Sequence, residues 1–216
     1  MDRVKVLYCG YRDWSIRIYE KLEKDLQNIE FSLNKNNILE PGKVDIILFI
    51  GWSWIVPSNI VNENLCICAH PSPLPKYRGG SPLQNQIING EVESAVSLFI
   101  MNEQLDGGPI VSQTKFSLLG DLCEVIEDMQ NTVYISLLKF LEEFSRTRKV
   151  VSYPQDNSNK SYYRRRTEEM SEITLLDIEH STAVQLHNKI RALQDPYPNA
   201  FIQCKDARLY LINSRI

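Results

Sequence analysis

The run Asp45 to Ile50 is almost wholly apolar and closes on Gly51, and it limits the possible folds more than any other stretch. Six residues without polar alternation read as a strand buried on both faces, near the centre of a sheet. Leu65 to Ala69 has the same character. Val4 to Cys9 is a further strand, stopped at Gly10, and Ile29 to Leu33 is a weaker one. Ser94 to Met101 and the shorter Ile110 to Gln113 complete the set. Between them lie helical spacings. Trp14, Ile18, Leu22 and Leu26 step by four, and Asp121 with Glu124 opens a long amphipathic run from Leu122 to Phe144. Alternating β and α of this kind predicts an α/β fold, a mostly parallel sheet flanked by helices on both sides. In such sheets ligands bind beyond the carboxyl ends of the strands, here Gly10–Trp14, Gly51–Pro57 and His70–Gly80.

Residues 145–168 are polar and basic, and read as a linker or surface excursion. Ala183, Leu186, Ile190 and Leu193 mark a helix that Asp195-Pro196-Tyr197-Pro198 stops, and Phe201–Cys204 with Leu209–Ile212 form a hairpin. This C-terminal helix–hairpin extension is too small for its own core and is expected to pack on the main sheet. The organisation expected is a catalytic domain over 1–150 and an extension over 151–216.

Composition narrows the function classes. With 43% hydrophobic and 24% charged residues, the chain is neither disordered nor fibrous. The apolar stretch Val44–Pro57 is too short and mixed to span a bilayer, and Met1-Asp2-Arg3-Val4 lacks a signal peptide's order. Five cysteines give no disulfide framework. These features predict a cytoplasmic protein without a membrane partner. A formal net charge of −3 argues against a polyanion-binding surface, hence no nucleic acid. The run Arg164-Arg165-Arg166 is either a solvated loop or a small phosphate patch.

Chemistry concentrates in two segments. In the first, a strand runs straight into His70-Pro71-Ser72-Pro73-Leu74-Pro75, where the prolines hold an extended loop and the imidazole stands at a strand's carboxyl end. Cys66, Cys68 and His70 alternate onto one strand face, but same-face positions start roughly 6.6 Å apart, too far to converge on one tetrahedral zinc; no metal is expected. In the second segment, Asp106 precedes Gly107 and Gly108 in a tight turn. Together His70 and Asp106 form a candidate couple, a carboxylate orienting an imidazole. Ser53 lacks the nucleophile-elbow pattern because Ile55 stands where a glycine is needed.

His70-Pro71-Ser72-Pro73-Leu74-Pro75-Lys76-Tyr77-Arg78-Gly79, then Pro82, and Leu105-Asp106-Gly107-Gly108-Pro109-Ile110 resemble the formyltransferase family that uses 10-formyltetrahydrofolate. The interval from His70 to Asp106 matches that family's spacing. Ser161-Tyr162-Tyr163-Arg164-Arg165-Arg166-Thr167, Ile190-Arg191-Ala192 and Pro196-Tyr197-Pro198 extend the likeness over nearly the whole chain. The resemblance implies a Rossmann-like fold and transfer of a formyl group from 10-formyltetrahydrofolate to a primary amine. It makes His70 the proton carrier beside the tetrahedral centre, oriented by Asp106. It also implies a folate pocket from Trp52, Trp54, Ile55, Val56, Pro57 and Gln104, and acceptor contacts from Tyr77, Arg78, Gly79, Gln84, Asn85, Arg164 and Arg165. One departure stands out: the family places Asn two residues before the His, and this chain has Cys68, a much weaker donor. The amides of Gln84, Asn85 or Gln104 are expected to serve with His70 in its stead, leaving Cys68 to fill space.

Three branches differ in their amine. The methionyl-tRNA branch normally adds a C-terminal tRNA-binding barrel, for which this sequence leaves no room, and the glycinamide ribonucleotide branch lacks the Tyr-Tyr-Arg-Arg-Arg stretch. The wording Arg78-Gly79-Gly80-Ser81-Pro82-Leu83-Gln84-Asn85 resembles a sugar-modifying subgroup. The acceptor expected is therefore a nucleotide-linked amino sugar, with a homodimer allowed for. The alternatives are the other two acceptors, or a folate-binding relative without catalysis.

Overall fold

A computed structural model describes residues 2–216. The chain runs β1 (Val4–Cys9), α1 (Asp13–Asp25), β2 (Ile29–Asn34), β3 (Ile46–Ile50), α2 (Ser58–Glu63), β4 (Cys66–His70), β5 (Arg78–Gly79), α3 (Pro82–Ile88), β6 (Glu93–Ile100), β7 (Ile110–Ser117) and α4 (Leu122–Thr147). Then follow β8 (Tyr162–Tyr163), α5 (Leu175–His180), α6 (Ala183–Ala192), β9 (Ala200–Gln203) and β10 (Arg208–Leu211). The main sheet has the order β2-β1-β3-β4-β6-β7. The first four of these strands are parallel, while β6 and β7 are antiparallel. All five residues of β3 are buried, as its unbroken apolar run requires.

The sheet's two faces are covered unequally, and this makes the site. Because side chains alternate along a strand, Val6, Tyr8, Ile46, Leu48, Ile50, Ile67 and Ala69 pack into one large core with α1, α3 and α4. Burying each large apolar side chain there stabilises the fold by about 1.5–3 kcal/mol. Leu7, Cys9, Ile47, Phe49 and Cys66 face the other way, where the buried cover is only Ile60 and Val61 of the short α2. Trp52, Val56, Cys68 and Met101 lie at the margin of this thin layer. Cys68 and His70 fall on the same alternation, so the functional strand end opens on the thinly covered face.

Helix α4 starts at the expected capping box, with the Asp121 N–H donating to Glu124 Oε2 at 3.0 Å. Strand β7 is twice the expected length because Lys115 and Ser117 point out while Phe116 points in, an edge-strand alternation behind a polar surface. Residues 148–166 are not a free linker. Tyr153 bridges Ile110, Gln155 is buried, and β8 pairs parallel to β5. The tail packs chiefly helix on helix, α6 on α3, rather than on the sheet face. Arg191 pins it by donating from Nη1 to the carbonyls of Leu118 (2.7 Å) and Gly120 (3.2 Å). Ile173, Ile190, Leu193 and Ala200 give it a minor core beneath the β9–β10 hairpin.

Candidate active site

His70 closes β4 and its ring is held from both sides. Nε2 lies 2.9 Å from the Tyr77 carbonyl. A carbonyl only accepts, so Nε2 carries a proton and Nδ1 is the nitrogen left for chemistry. Nδ1 stands 3.7 Å from Asp106 Oδ2, and both side chains are almost buried. Asp106 in turn accepts the Gly79 N–H at 2.7 Å. Its backbone is left-handed, at φ 49°, as the third residue of the turn that Gly107 closes onto the Gln104 carbonyl.

Behind the couple lies a polar network that the sequence did not announce. Gln155 Nε2 donates to the carbonyls of Asp106 (2.9 Å) and Gly108 (2.7 Å). Its Oε1 accepts from Arg78 Nη2 at 2.5 Å. Arg78 also donates to Asn157 and to the Tyr162 hydroxyl, at 2.8 and 2.7 Å. Arg78 is fully buried. Its guanidinium fastens residues 155–162 to the His70–Asp106 loops. Hydrogen-bond acceptors surround it in place of a carboxylate, which satisfies its donors while the charge stays out of water.

The other residues expected to meet the acceptor are placed as follows. The Tyr77 ring is buried and stacked on Tyr163 at 5.0 Å, its hydroxyl donates to Glu91, and its carbonyl meets His70. Asn85 is buried and its amide donates to the Gly80 carbonyl at 3.1 Å. Gln104 donates to the Tyr162 hydroxyl at 3.0 Å. These two amides are therefore turned to protein partners. Gln84 is buried on α3. Gly79 contributes its N–H, and a side chain in its place would strike the Tyr163 carbonyl at 2.3 Å. Arg164 and Arg165 are exposed.

Cys68 is half-buried between Phe99, Ile110 and Leu74. Burial, followed by the Asp106 charge and Cys66, holds its thiol well above its ordinary pKa. Burial likewise pushes Cys66 up to about 12. Both remain neutral thiols at physiological pH, a state suited to packing rather than to nucleophilic attack. No group of three or more metal-ligating residues occurs among the described residues.

The loop from Gly51 to Pro57 flanks this strand end. Gly51 sits at φ 63° against the Trp14 ring, where a Cβ would come within 2.7 Å. Trp52 packs edge-on to Phe49 and Trp54. Trp54, Ile55 and Pro57 are exposed and Val56 is half-buried. The Trp52 Nε1–H is buried without a hydrogen-bond partner. An apolar, partly open wall with one spare donor fits a flat heteroaromatic ring bearing acceptors, as in a reduced pterin.

A formyl transferase model matches residues 20–134, and a formyl transferase C-terminal domain model matches residues 171–216. The chain belongs to the formyl transferase family. It is 30% identical over 193 residues to the methionyl-tRNA formyltransferase of Rickettsia bellii, covering 88% of this chain and 60% of that protein. The chain thus spans under two thirds of the length of the curated relatives it matches. Among solved structures, a methionyl-tRNA formyltransferase from Clostridium thermocellum superposes with a TM-score of 0.81 at 25% identity, covering 99% of this chain and 93% of that one. A sugar N-formyltransferase from Shewanella sp. FDAARGOS_354 superposes with a TM-score of 0.78 at 20% identity, covering 99% of each chain, a likeness of fold. The match over 171–216 also places the helix–hairpin extension within the family's architecture.

Proposed function

We propose that this chain is an N-formyltransferase that moves the formyl group of 10-formyltetrahydrofolate to the primary amine of a nucleotide-linked amino sugar. The observation that carries the formyl-transfer reading is the His70–Asp106 couple, with Nδ1 facing the carboxylate at 3.7 Å and Nε2 tied to Tyr77. When bound, the folate supplies an electrophilic formyl carbon; a C–N bond forms to the acceptor amine, the bond to N10 breaks, and N10 gains the proton the amine loses. His70 carries that proton from the attacking amine towards N10. Asp106 opposes the positive charge that the ring then carries, and the Gly79 N–H keeps the carboxylate aimed. The Trp52–Pro57 loop holds the folate, and Gln104 borders the site through its bond to Tyr162. Cys68 fills space on this face, and its thiol is a poor donor to developing negative charge. In this reading residues 1–150 are the catalytic domain and 151–216 the extension, whose first part closes the site through Gln155 and Tyr162.

Two features support a nucleotide sugar as acceptor: the wording of residues 78–85, and an overall negative charge that leaves Arg164 and Arg165 as a local phosphate patch. The cellular setting proposed is the cytoplasm. A second reading, transfer to methionyl-tRNA, is favoured by the name of the curated relative at 30% identity. Side-by-side formylation assays with amino-sugar nucleotides and with methionyl-tRNA separate them. Turnover of a sugar nucleotide is the expected result; efficient turnover of methionyl-tRNA with none of the sugars overturns the choice of acceptor.

A further inference from the structure

Two separate segments, the β1–α1 turn and the stretch after β8, direct three hydrogen-bond donors at one neutral oxygen. Ser53 Oγ, in the loop after β3, accepts from the Tyr11 hydroxyl at 2.8 Å. Arg12, from the turn between β1 and α1, reaches it through Nη2 at 3.2 Å. Arg165, which follows β8, reaches it through its own Nη2, also at 3.2 Å. A hydroxyl oxygen has two acceptor sites, so three donors oversubscribe it. Neither guanidinium has a carboxylate within ion-pair reach among the described residues. Two like charges are thus drawn to a single neutral group, with most of their N–H donors unused.

The arrangement is built rather than incidental. Arg165 is fixed by close backbone packing on Gly80, where a Cβ would lie 2.4 Å from the Arg165 Cα. The Gly80 N–H donates to the Tyr163 carbonyl at 2.7 Å, and the Arg166 N–H to Ser81 Oγ at 3.1 Å. Arg12 lies over the Tyr11 ring at 5.3 Å, and that ring packs tilted against Trp54, with centroids 4.4 Å apart. The Tyr197 phenol lies close enough to feel both guanidinium charges, which oppose the upward push of its burial. The overall charge of −3 makes this local excess of positive charge the more pointed.

We propose that Arg12 and Arg165 form a two-arginine clamp for the diphosphate of a nucleotide-linked acceptor, centred on Ser53 and bordering the formyl-transfer couple. Two planar guanidinium forks match the several oxygens and charges of a diphosphate, which a single hydroxyl cannot. The clamp rests on the nucleotide-sugar reading for its ligand.

The test is calorimetric titration of the full chain with UDP, GDP, dTDP and inorganic pyrophosphate, and separately with tetrahydrofolate. The proteins are wild type, Arg12→Gln, Arg165→Gln, the double variant and Arg12→Lys, each checked by thermal unfolding. The result expected is nucleoside diphosphate binding that weakens with added salt. Each single Gln variant lowers affinity about tenfold and the double variant about a hundredfold, as loss of charge-assisted hydrogen bonds requires. Tetrahydrofolate affinity stays unchanged throughout, and Arg12→Lys, which keeps the charge, retains more affinity than Arg12→Gln. Wild type that binds none of the diphosphates or pyrophosphate overturns the clamp, as do variants that bind them normally. Loss of tetrahydrofolate affinity with intact nucleotide binding also overturns it, assigning the arginines to the folate carboxylates. Diphosphate binding that depends on both arginines, with no amino-sugar nucleotide formylated, upholds the clamp and removes only the acceptor reading.

Discussion

His70→Ala is expected to lower turnover by about 10²–10⁴-fold, the range by which a positioned general acid–base group speeds proton transfer, while tetrahydrofolate affinity changes little. The reason lies in where the ring sits. Its Nδ1 faces Asp106, whereas Nε2 is spent on the Tyr77 carbonyl. The folate wall is built elsewhere, from the loop after β3, so removing the imidazole deletes a contact that matters in the transition state rather than in binding. Asp106→Asn is expected to follow in direction. The amide keeps the shape but removes the charge that opposes a protonated ring. Its Oδ1 can still accept the Gly79 N–H, so the fold should survive. Steady-state kinetics paired with tetrahydrofolate titration checks both; a His70→Ala protein with near-normal turnover would falsify the assignment.

Gly108→Ala is expected to be the most disruptive small change in the chain, costing about 3 kcal/mol or more, in the tail of single-substitution effects. The added Cβ would lie 1.8 Å from the Ile100 carbonyl oxygen, a backbone atom that no rotamer change can move aside. Relief requires β6 and β7 to part at the Ile100 N–H to Pro109 carbonyl bond. That shift also pulls the Gly108 carbonyl from Gln155 and carries Asp106 away from His70, so turnover and stability should fall together. Gly42→Ala is the contrast, since nothing lies within 4 Å of its Cβ and only its positive φ opposes the change, at a cost of about 1–2 kcal/mol. Denaturant unfolding of both variants reads the difference. Gly108→Ala as stable as Gly42→Ala would mean that the turn has slack.

Local signals explain what could be read from the chain. β3 and β4 stand out because a strand buried on both faces needs an uninterrupted apolar run, and α4 because its capping box is written within four residues. His70 stands out because it ends β4 at the carboxyl edge of the parallel strands, where such sheets put ligands, and Asp106 because it opens the Asp-Gly-Gly turn in the loop between β6 and β7. The residues that were not legible depend on distant partners. Gln155 lies in a polar stretch without periodicity, and its role exists only because Arg78, 77 residues earlier, is buried against it. Arginine is rarely fully buried, so Arg78 reads as a surface contact until the tertiary structure surrounds it with acceptors. α5 escaped because it has six residues and exposes Leu175, Leu176 and Ile178, leaving no inward stripe. Arg12 gave no sign because its meaning comes from Arg165 and Ser53, which the fold alone brings together.

The most direct measurement follows a labelled formyl carbon from 10-formyltetrahydrofolate under single-turnover conditions, with the wild-type chain and a panel of primary amines led by nucleotide-linked amino sugars. Label recovered as the formamide of one such amine, in step with release of tetrahydrofolate and abolished by His70→Ala, is the outcome predicted for a formyltransferase that works with Cys68 in place of the usual amide. Tetrahydrofolate that binds tightly while the label stays on it with every amine would contradict catalysis and leave a folate-binding protein.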